Sequence, residues 1–225
     1  MRELLPLGLL GGVLGLDVVC FPQMMFSRPI VAATLAGAFV GDPAMGILVG
    51  TTLELIALAT LPFGASRYPE WGSAAAVGGA ISGAMHTERV GALTIGVLAA
   101  LATAWVGGLT LVQLRVWNAW IARRRRPALD ASSRGAVIGL QLAGLTADVV
   151  RAALLTVVAY ALLFPVAQAT LGVWTLSESL SRGFVVSAAA AVAGAAAWTI
   201  FHSAPGARWY FAGGLLVGLL VLFIR

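Results

Sequence analysis

Charge, cysteine and lysine are scarce in this chain. Only 10% of its 225 residues are charged, there is a single cysteine, and the basic side chains other than two histidines are all arginine. So few charges cannot cover the surface of a water-soluble domain of this size. With 60% hydrophobic residues and a mean hydropathy of +0.96, the composition points to a bilayer. The lone Cys20 excludes an internal disulfide and a CxxC pair. His86 and His202 are far apart and have no partner one helical turn away, so neither a metal site nor a cofactor is expected. The chain has no GxSxG, no phosphate-binding P-loop and no GxGxxG opening a helix after a strand, which leaves an enzyme acting alone without a motif. The alternation of an outer-membrane barrel is missing too, so helices must satisfy the backbone hydrogen bonds.

What is present is a succession of apolar runs, among which lengths near the roughly 20 residues that cross a hydrocarbon core recur. The expected fold is an all-α integral membrane protein, a multi-spanning helical bundle with short or re-entrant broken helices in its N-terminal half. It reads as one membrane-embedded domain over 1–225. The N-terminal half covers 1–114, a basic loop 115–134, and the C-terminal helices 135–225. The first run, Leu4 to Val19, could be mistaken for a secretion signal behind Arg2. It contains Asp17 and lacks a small-residue cleavage site, so it belongs to the fold. Its glycines Gly8, Gly11, Gly12 and Gly15 let a neighbouring helix approach closely.

After a polar break with Pro22 and Pro29, the stretch 27–65 holds two short apolar arms around a Gly41-Asp42-Pro43 turn. The first arm, Ile30 to Val40, is about half as long as a span requires, and the second carries Glu54 in its middle. Interrupted segments of this kind point to a transporter's binding site. A carboxylate at membrane depth costs at least ~2.5 kcal/mol on insertion scales, so Glu54 is the leading candidate for contact with a substrate. Asp17, Gln23 and Arg28 form a second polar group across the break. Asp42 reads as a turn-former and helix cap.

Further along, Ser66 to Trp71 reads as a polar interface piece, and Gly72 to Met85 as a small-residue helix packed inside protein. Val90 to Leu114 is a clear span, leading to Arg115 and the run Arg123 to Arg126. That run reads as a cytoplasmic topology signal, with an RNA or anionic-lipid patch as the less favoured reading. Gly135 to Phe164 is interrupted by Gln141, Asp148 and Arg151. The last two, three residues apart on one helix face, are placed to pair. Pro165 to Ser181 reads as a connection, and Phe184 to Phe201 and Trp209 to Ile224 as the final spans.

Arg28-Pro29-Ile30, Gly41-Asp42, Gly46, the run Gly50 to Leu58 and Gly64-Ala65 together resemble the N-terminal signature of the mannose/fructose/sorbose-type phosphotransferase enzyme IIC subunit. The resemblance implies a sugar-translocating subunit in a bacterial inner membrane, with 115–134 cytoplasmic. It implies a membrane IID partner, an oligomer of IIC–IID units, and cytoplasmic IIA and IIB proteins, the phosphohistidine residing on IIB. Glu54, Asp17, Gln23, Thr51 and Thr52 would bind the sugar, with Arg28, Asp42, Gln141, Asp148 and Arg151 in support. Family members tend to have a histidine where this chain has Gln141, and an arginine where it has Arg151. From the residues alone, two other classes stay open. One is a small permease or vitamin-uptake subunit that recruits other machinery. The other is a membrane scaffold in which Glu54 and Asp17 are structural.

Overall fold

The computed structural model describes residues 4–17, 20–60, 67–85 and 91–224, and among them finds nine helices and no strand. The expected hairpin end at Gly64-Ala65, the polar residue Ser66 and the loop residues His86 to Arg89 lie outside the described residues, as do Val18, Val19 and both terminal arginines. Helix α1 is Leu4–Asp17, α2 Pro29–Phe39, α3 Pro43–Ala57, α4 Trp71–Ala84 and α5 Ala92–Arg124. A short α6, Arg126–Asp130, leads to α7 Arg134–Gly172, α8 Glu178–Phe201 and α9 Ala207–Ile224. Three of these, α5, α7 and α8, are long and apolar enough to cross a membrane, whereas α9 falls with the shorter apolar helices.

Helix α4 is the centre. Every residue from Gly72 to Gly83 is buried, against α1, α2, α3, α5 and α7. Its small side chains explain how one short helix takes so many neighbours, because backbones can meet where no side chain intervenes. A Cβ on Gly79 would lie 2.4 Å from the Ala33 carbonyl of α2, and one on Gly72 2.4 Å from the Leu14 carbonyl of α1. The glycines of α1 behave as the sequence suggests. Gly8, Gly11, Gly12 and Gly15 all abut α7, and a Cβ on Gly11 would overlap Thr156.

The α2–α3 hairpin also forms as expected. Gly41 turns the chain at φ +95, a conformation that L residues rarely adopt, and Asp42 accepts the Met45 N–H at 2.9 Å to cap α3. Pro29 and Pro43 each stand in the first turn of a helix, where a missing N–H costs nothing. The two arms touch through Gly37, Gly46 and Gly50. A Cβ on Gly50 would come within 2.7 Å of Ile30 Cα.

Three expectations are corrected. The loop over 115–134 is mostly helix, since α5 continues to Arg124 and α7 begins at Arg134. Arginine is a good helix former, and no breaker precedes Pro127. Pro165 likewise does not end its helix. It sits inside α7, which runs to Gly172, and a proline inside a membrane helix is tolerated where its surroundings satisfy the freed carbonyl. The true connection is Val173 to Ser177, whose Ser177 hydroxyl caps α8. The third concerns Glu70, expected at a polar interface. It is fully buried.

Candidate functional site

Two polar groups lie within the apolar bundle, and the break between α1 and α2 joins one to the other. Asp17 ends α1 with 2% of its surface exposed. Its Oδ1 accepts the Met24 N–H at 2.7 Å and its Oδ2 the Ser27 N–H at 2.9 Å. Those bonds hold a strained loop, for Gln23 and Met25 both adopt left-handed backbone angles, φ 59 and φ 65. The same loop is fastened at its other end by Glu54. The Arg28 guanidinium pairs with Glu54 Oε1, and the Ile30 N–H donates to Glu54 Oε2 at 3.2 Å. Glu54 therefore stabilises the first turn of α2, where unsatisfied N–H groups and the helix dipole favour a negative charge.

Access divides the sequence candidates. Glu54 is 18% exposed and Arg28 43%, while Gln23 and Thr51 are exposed. Thr52 is buried and its hydroxyl donates to the Leu48 carbonyl at 2.8 Å. Gln23, Thr51, Arg28 and Glu54 thus offer polar atoms on or near the surface, and Asp17 and Thr52 stand behind them. Asp42 is occupied as a cap, and Gln141 is exposed on α7.

The second group sits between α1, α4, α5 and α7. Asp148 and Arg151 do pair, with Nε to Oδ1 at 2.9 Å and Nη2 to Oδ1 at 2.8 Å. Their side chains are 1% and 10% exposed. Arg151 Nη1 reaches the Thr110 hydroxyl at 3.2 Å, and the Cys20 thiol donates to Asp148 Oδ2 at 3.1 Å. An arginine inside apolar surroundings is tolerable here because its charge is matched and its Nε and Nη1 are hydrogen-bonded, while the buried Nη2 has only the ion-pair contact.

Glu70 belongs to this region and sequence reasoning missed it. Its Oε1 caps α4 by accepting the Ser73 N–H at 3.1 Å, its N–H donates to the Ala104 carbonyl of α5 at 3.0 Å, and its Oε2 has no partner. Two glycines from other helices make room for it. A Cβ on Gly107 would lie 2.6 Å from Glu70 Cβ, and one on Gly15 3.3 Å from Oε1. The available signal was Pro69-Glu70 three residues ahead of Ser73 at the head of a small-residue run. Glutamate is not among the preferred capping residues, so the signal is weak.

A cleft of about 500 Å³ opens between α5 and α7, lined by Thr103, Val106, Thr110, Leu155 and Val158 with Arg151 at its polar end. Glu54, Asp17, Gln23, Thr51 and Thr52 do not line it. Its walls suit hydrocarbon rather than a polyol.

The sequence pattern of the family described as the PTS system sorbose-specific IIC component matches residues 3–190. The mannose-specific EIIC component of Escherichia coli K12 is 28% identical over 136 residues, which is 60% of this chain and 50% of that protein. The chain thus matches about half the length of this curated relative. Two solved structures share the fold at 19% identity. One, a structure described only as that of a membrane protein, has a TM-score of 0.78 and covers all of this chain and 91% of its own. The other, the cryo-EM structure of the mannose transporter ManYZ with microcin E492, has a TM-score of 0.64 and covers all of this chain and 95% of its own. With the pattern matched over most of its length, this chain belongs to the sorbose-specific IIC component family of the phosphotransferase system.

Proposed function

We propose that the chain is the sugar-translocating IIC subunit of a mannose-family phosphotransferase permease in a bacterial inner membrane. It forms the sugar path and transfers no phosphate itself. Cytoplasmic IIA and IIB proteins deliver phosphate to the sugar, from a histidine on IIB, and a membrane IID subunit completes the unit, several of which assemble. The arginine-bearing segment within 115–134 faces the cytoplasm. The observation that carries this reading is the family match over 3–190, which takes in the broken hairpin and the pinned polar loop together.

On this reading the sugar lies against the loop 20–28 and the start of α2. Glu54, Gln23 and Thr51 supply acceptors and donors to its hydroxyls, because each hydroxyl stripped of water and left unpaired costs a few kcal/mol. Asp17 and Thr52 hold the surface from behind, and Arg28 orients Glu54. The hairpin α2–α3 moves between outward and inward openings in an elevator-like or rocking change, and phosphorylation traps the sugar inside.

A second reading has one observation in its favour. Both oxygens of Asp17 and both of Glu54 already serve the loop, which is what a scaffold without transport would need. Uptake of a panel of labelled hexoses by cells expressing the chain with its IIA, IIB and IID neighbours separates the two. Phosphoenolpyruvate-dependent entry of at least one sugar is the expected result; no uptake of any, with the proteins present in the membrane, favours the scaffold.

A further inference from the structure

Glu70 places a carboxyl in the middle of the bundle with too few donors around it to hold a charge. It lies just ahead of α4, in none of the helices long enough to cross a membrane, and no part of it reaches the surface. An ionised carboxylate offers about four acceptor sites. Here one donor is in place, the Ser73 N–H on Oε1 at 3.1 Å. The Ser73 hydroxyl is directed to the carbonyls of Gly11 and Ala152, at 3.3 and 3.5 Å, and Oε2 has no partner among the described residues.

The elements packed around Glu70 bring no cation of its own among the described residues. Helix α1 presents Gly15, while Asp17 at its end is bonded to the N–H groups of Met24 and Ser27. From α5 come Gly107, where a Cβ would lie 3.3 Å from Oε2, and one turn on Thr110, whose hydroxyl accepts Arg151 Nη1. From α7 come Ala152 and Leu155, packed on those two glycines, and the pair Asp148 and Arg151. Arg151 attracts a negative Glu70 and Asp148 repels it, but the guanidinium is already held by Asp148 through Nε at 2.9 Å and Nη2 at 2.8 Å. Nearby, Arg67 stacks 5.5 Å over Trp105 and Arg115 of α5 stacks 5.0 Å over Tyr68.

A negative Glu70 would therefore set two buried carboxylates on one guanidinium. The N-terminus of α4 favours the charge, but its dipole is equivalent to only about half an elementary charge. Complete removal of a carboxylate from water is the larger effect, and an O–H lacking one acceptor costs less than an unmatched charge.

We propose that Glu70 is a proton-binding site of the folded chain, with Oε1 capping α4 as an uncharged acceptor and the proton on Oε2. Release of that proton divides Arg151 between two carboxylates and weakens its hold on Asp148. Asp148 Oδ2 also accepts the Cys20 thiol at 3.1 Å, so the loop 20–28 loosens with it. The junction of α1, α4, α5 and α7 is thus sensitive to pH, and tightest when Glu70 is neutral.

Infrared spectra of the full chain, purified in detergent, test this directly. At neutral pH the wild-type protein is expected to show the carbonyl band of a protonated carboxyl. The band should shift when glutamate alone carries a heavy-carbon carboxyl, and should be missing from Glu70→Gln. Absence of the band from wild type overturns the proposal whether or not the variant folds, and so does a band that survives in Glu70→Gln or follows aspartate labelling. Unfolding at a series of pH values supplies the sign. The folded chain keeps a proton that the unfolded chain loses above the ordinary glutamate range, so this stability is full in acid and lost as pH rises. Across that range the ratio of folded to unfolded wild type should fall about tenfold per pH unit relative to Glu70→Gln. Glutamine copies the neutral acid, so the variant should match wild type in mild acid and surpass it in mild alkali. A variant destabilised by the same factor at every pH is the result for a charged Glu70, and overturns the proposal as well.

Discussion

The carboxylate of Glu54 accepts the Ile30 N–H and pairs with the Arg28 guanidinium, so one side chain on α3 holds both the first turn of α2 and the residue before it. The residue with the strongest claim to sugar contact therefore also fixes the loop beside it. Loss of its charge and loss of its hydrogen bond can be separated by substitution.

Glu54→Gln keeps a carbonyl for Ile30 and removes the ion pair. Because the pair is partly exposed, the expected loss of stability is only about 0–1 kcal/mol. Sugar uptake should nevertheless fall at least about tenfold, which corresponds to roughly 1.4 kcal/mol of lost interaction. Thermal unfolding in detergent and initial uptake rates measure the two. Unimpaired uptake removes Glu54 from the sugar site.

Asp17→Asn leaves one acceptor where two backbone N–H groups need one each. One of Met24 and Ser27 then faces an amide NH₂, at a cost of about 1–3 kcal/mol for a buried donor left unsatisfied. Hydrogen exchange should accelerate across 23–28 and little elsewhere. Unchanged protection there would show that the loop is held by other contacts.

The Asp148–Arg151 pair is nearly inaccessible to water, so breaking it should cost more. Arg151→Met alone is expected to destabilise by about 3–5 kcal/mol, because it strands a buried carboxylate. Asp148→Leu combined with Arg151→Met should recover most of that loss, since a well-packed apolar pair often replaces a buried ion pair without penalty. Unfolding of the two single variants and the double variant gives the coupling directly.

Glycines in contact and glycines in the open should respond with opposite sign. Gly50→Ala drives a Cβ into Ile30 and is expected to cost about 1–3 kcal/mol. Gly213→Ala on α9 meets nothing within 4 Å, so it should be neutral or stabilising by up to about 1 kcal/mol. Equal effects in unfolding measurements would contradict the close packing of α2 on α3 at Gly50.

These residues also show how much of the molecule can be read from its sequence. Gly41-Asp42-Pro43 announces its turn and its cap locally, and the spacing of Asp148 and Arg151 announces their pair, so both were legible. Glu70 was not. Its burial depends on Gly15 and Gly107, which belong to helices distant in the sequence and are recognisable as its neighbours only after packing. Arg115 to Arg124 misled in another way. Charge suggested a loop, while helix propensity and the absence of a breaker continued α5. Pro165 is the converse, a residue that usually ends helices but sits within one when neighbouring groups compensate. Of the candidate site, the polar break and Glu54 could be named in advance, but the division between exposed Gln23 and Thr51 and buried Asp17 and Thr52 required the fold.

On the proposed function, this chain moves sugar only as part of a phosphorylation relay. The most direct measurement uses inverted or right-side-out vesicles holding the chain with IID, supplied with purified IIA, IIB, the general phosphotransferase proteins and labelled hexose, and identifies the product on the cytoplasmic side. Sugar phosphate is the expected product, formed only when phosphoenolpyruvate is present and reduced at least about tenfold by Glu54→Gln. Free sugar accumulating at the same rate without phosphoenolpyruvate, or unaffected by Glu54→Gln, would contradict it.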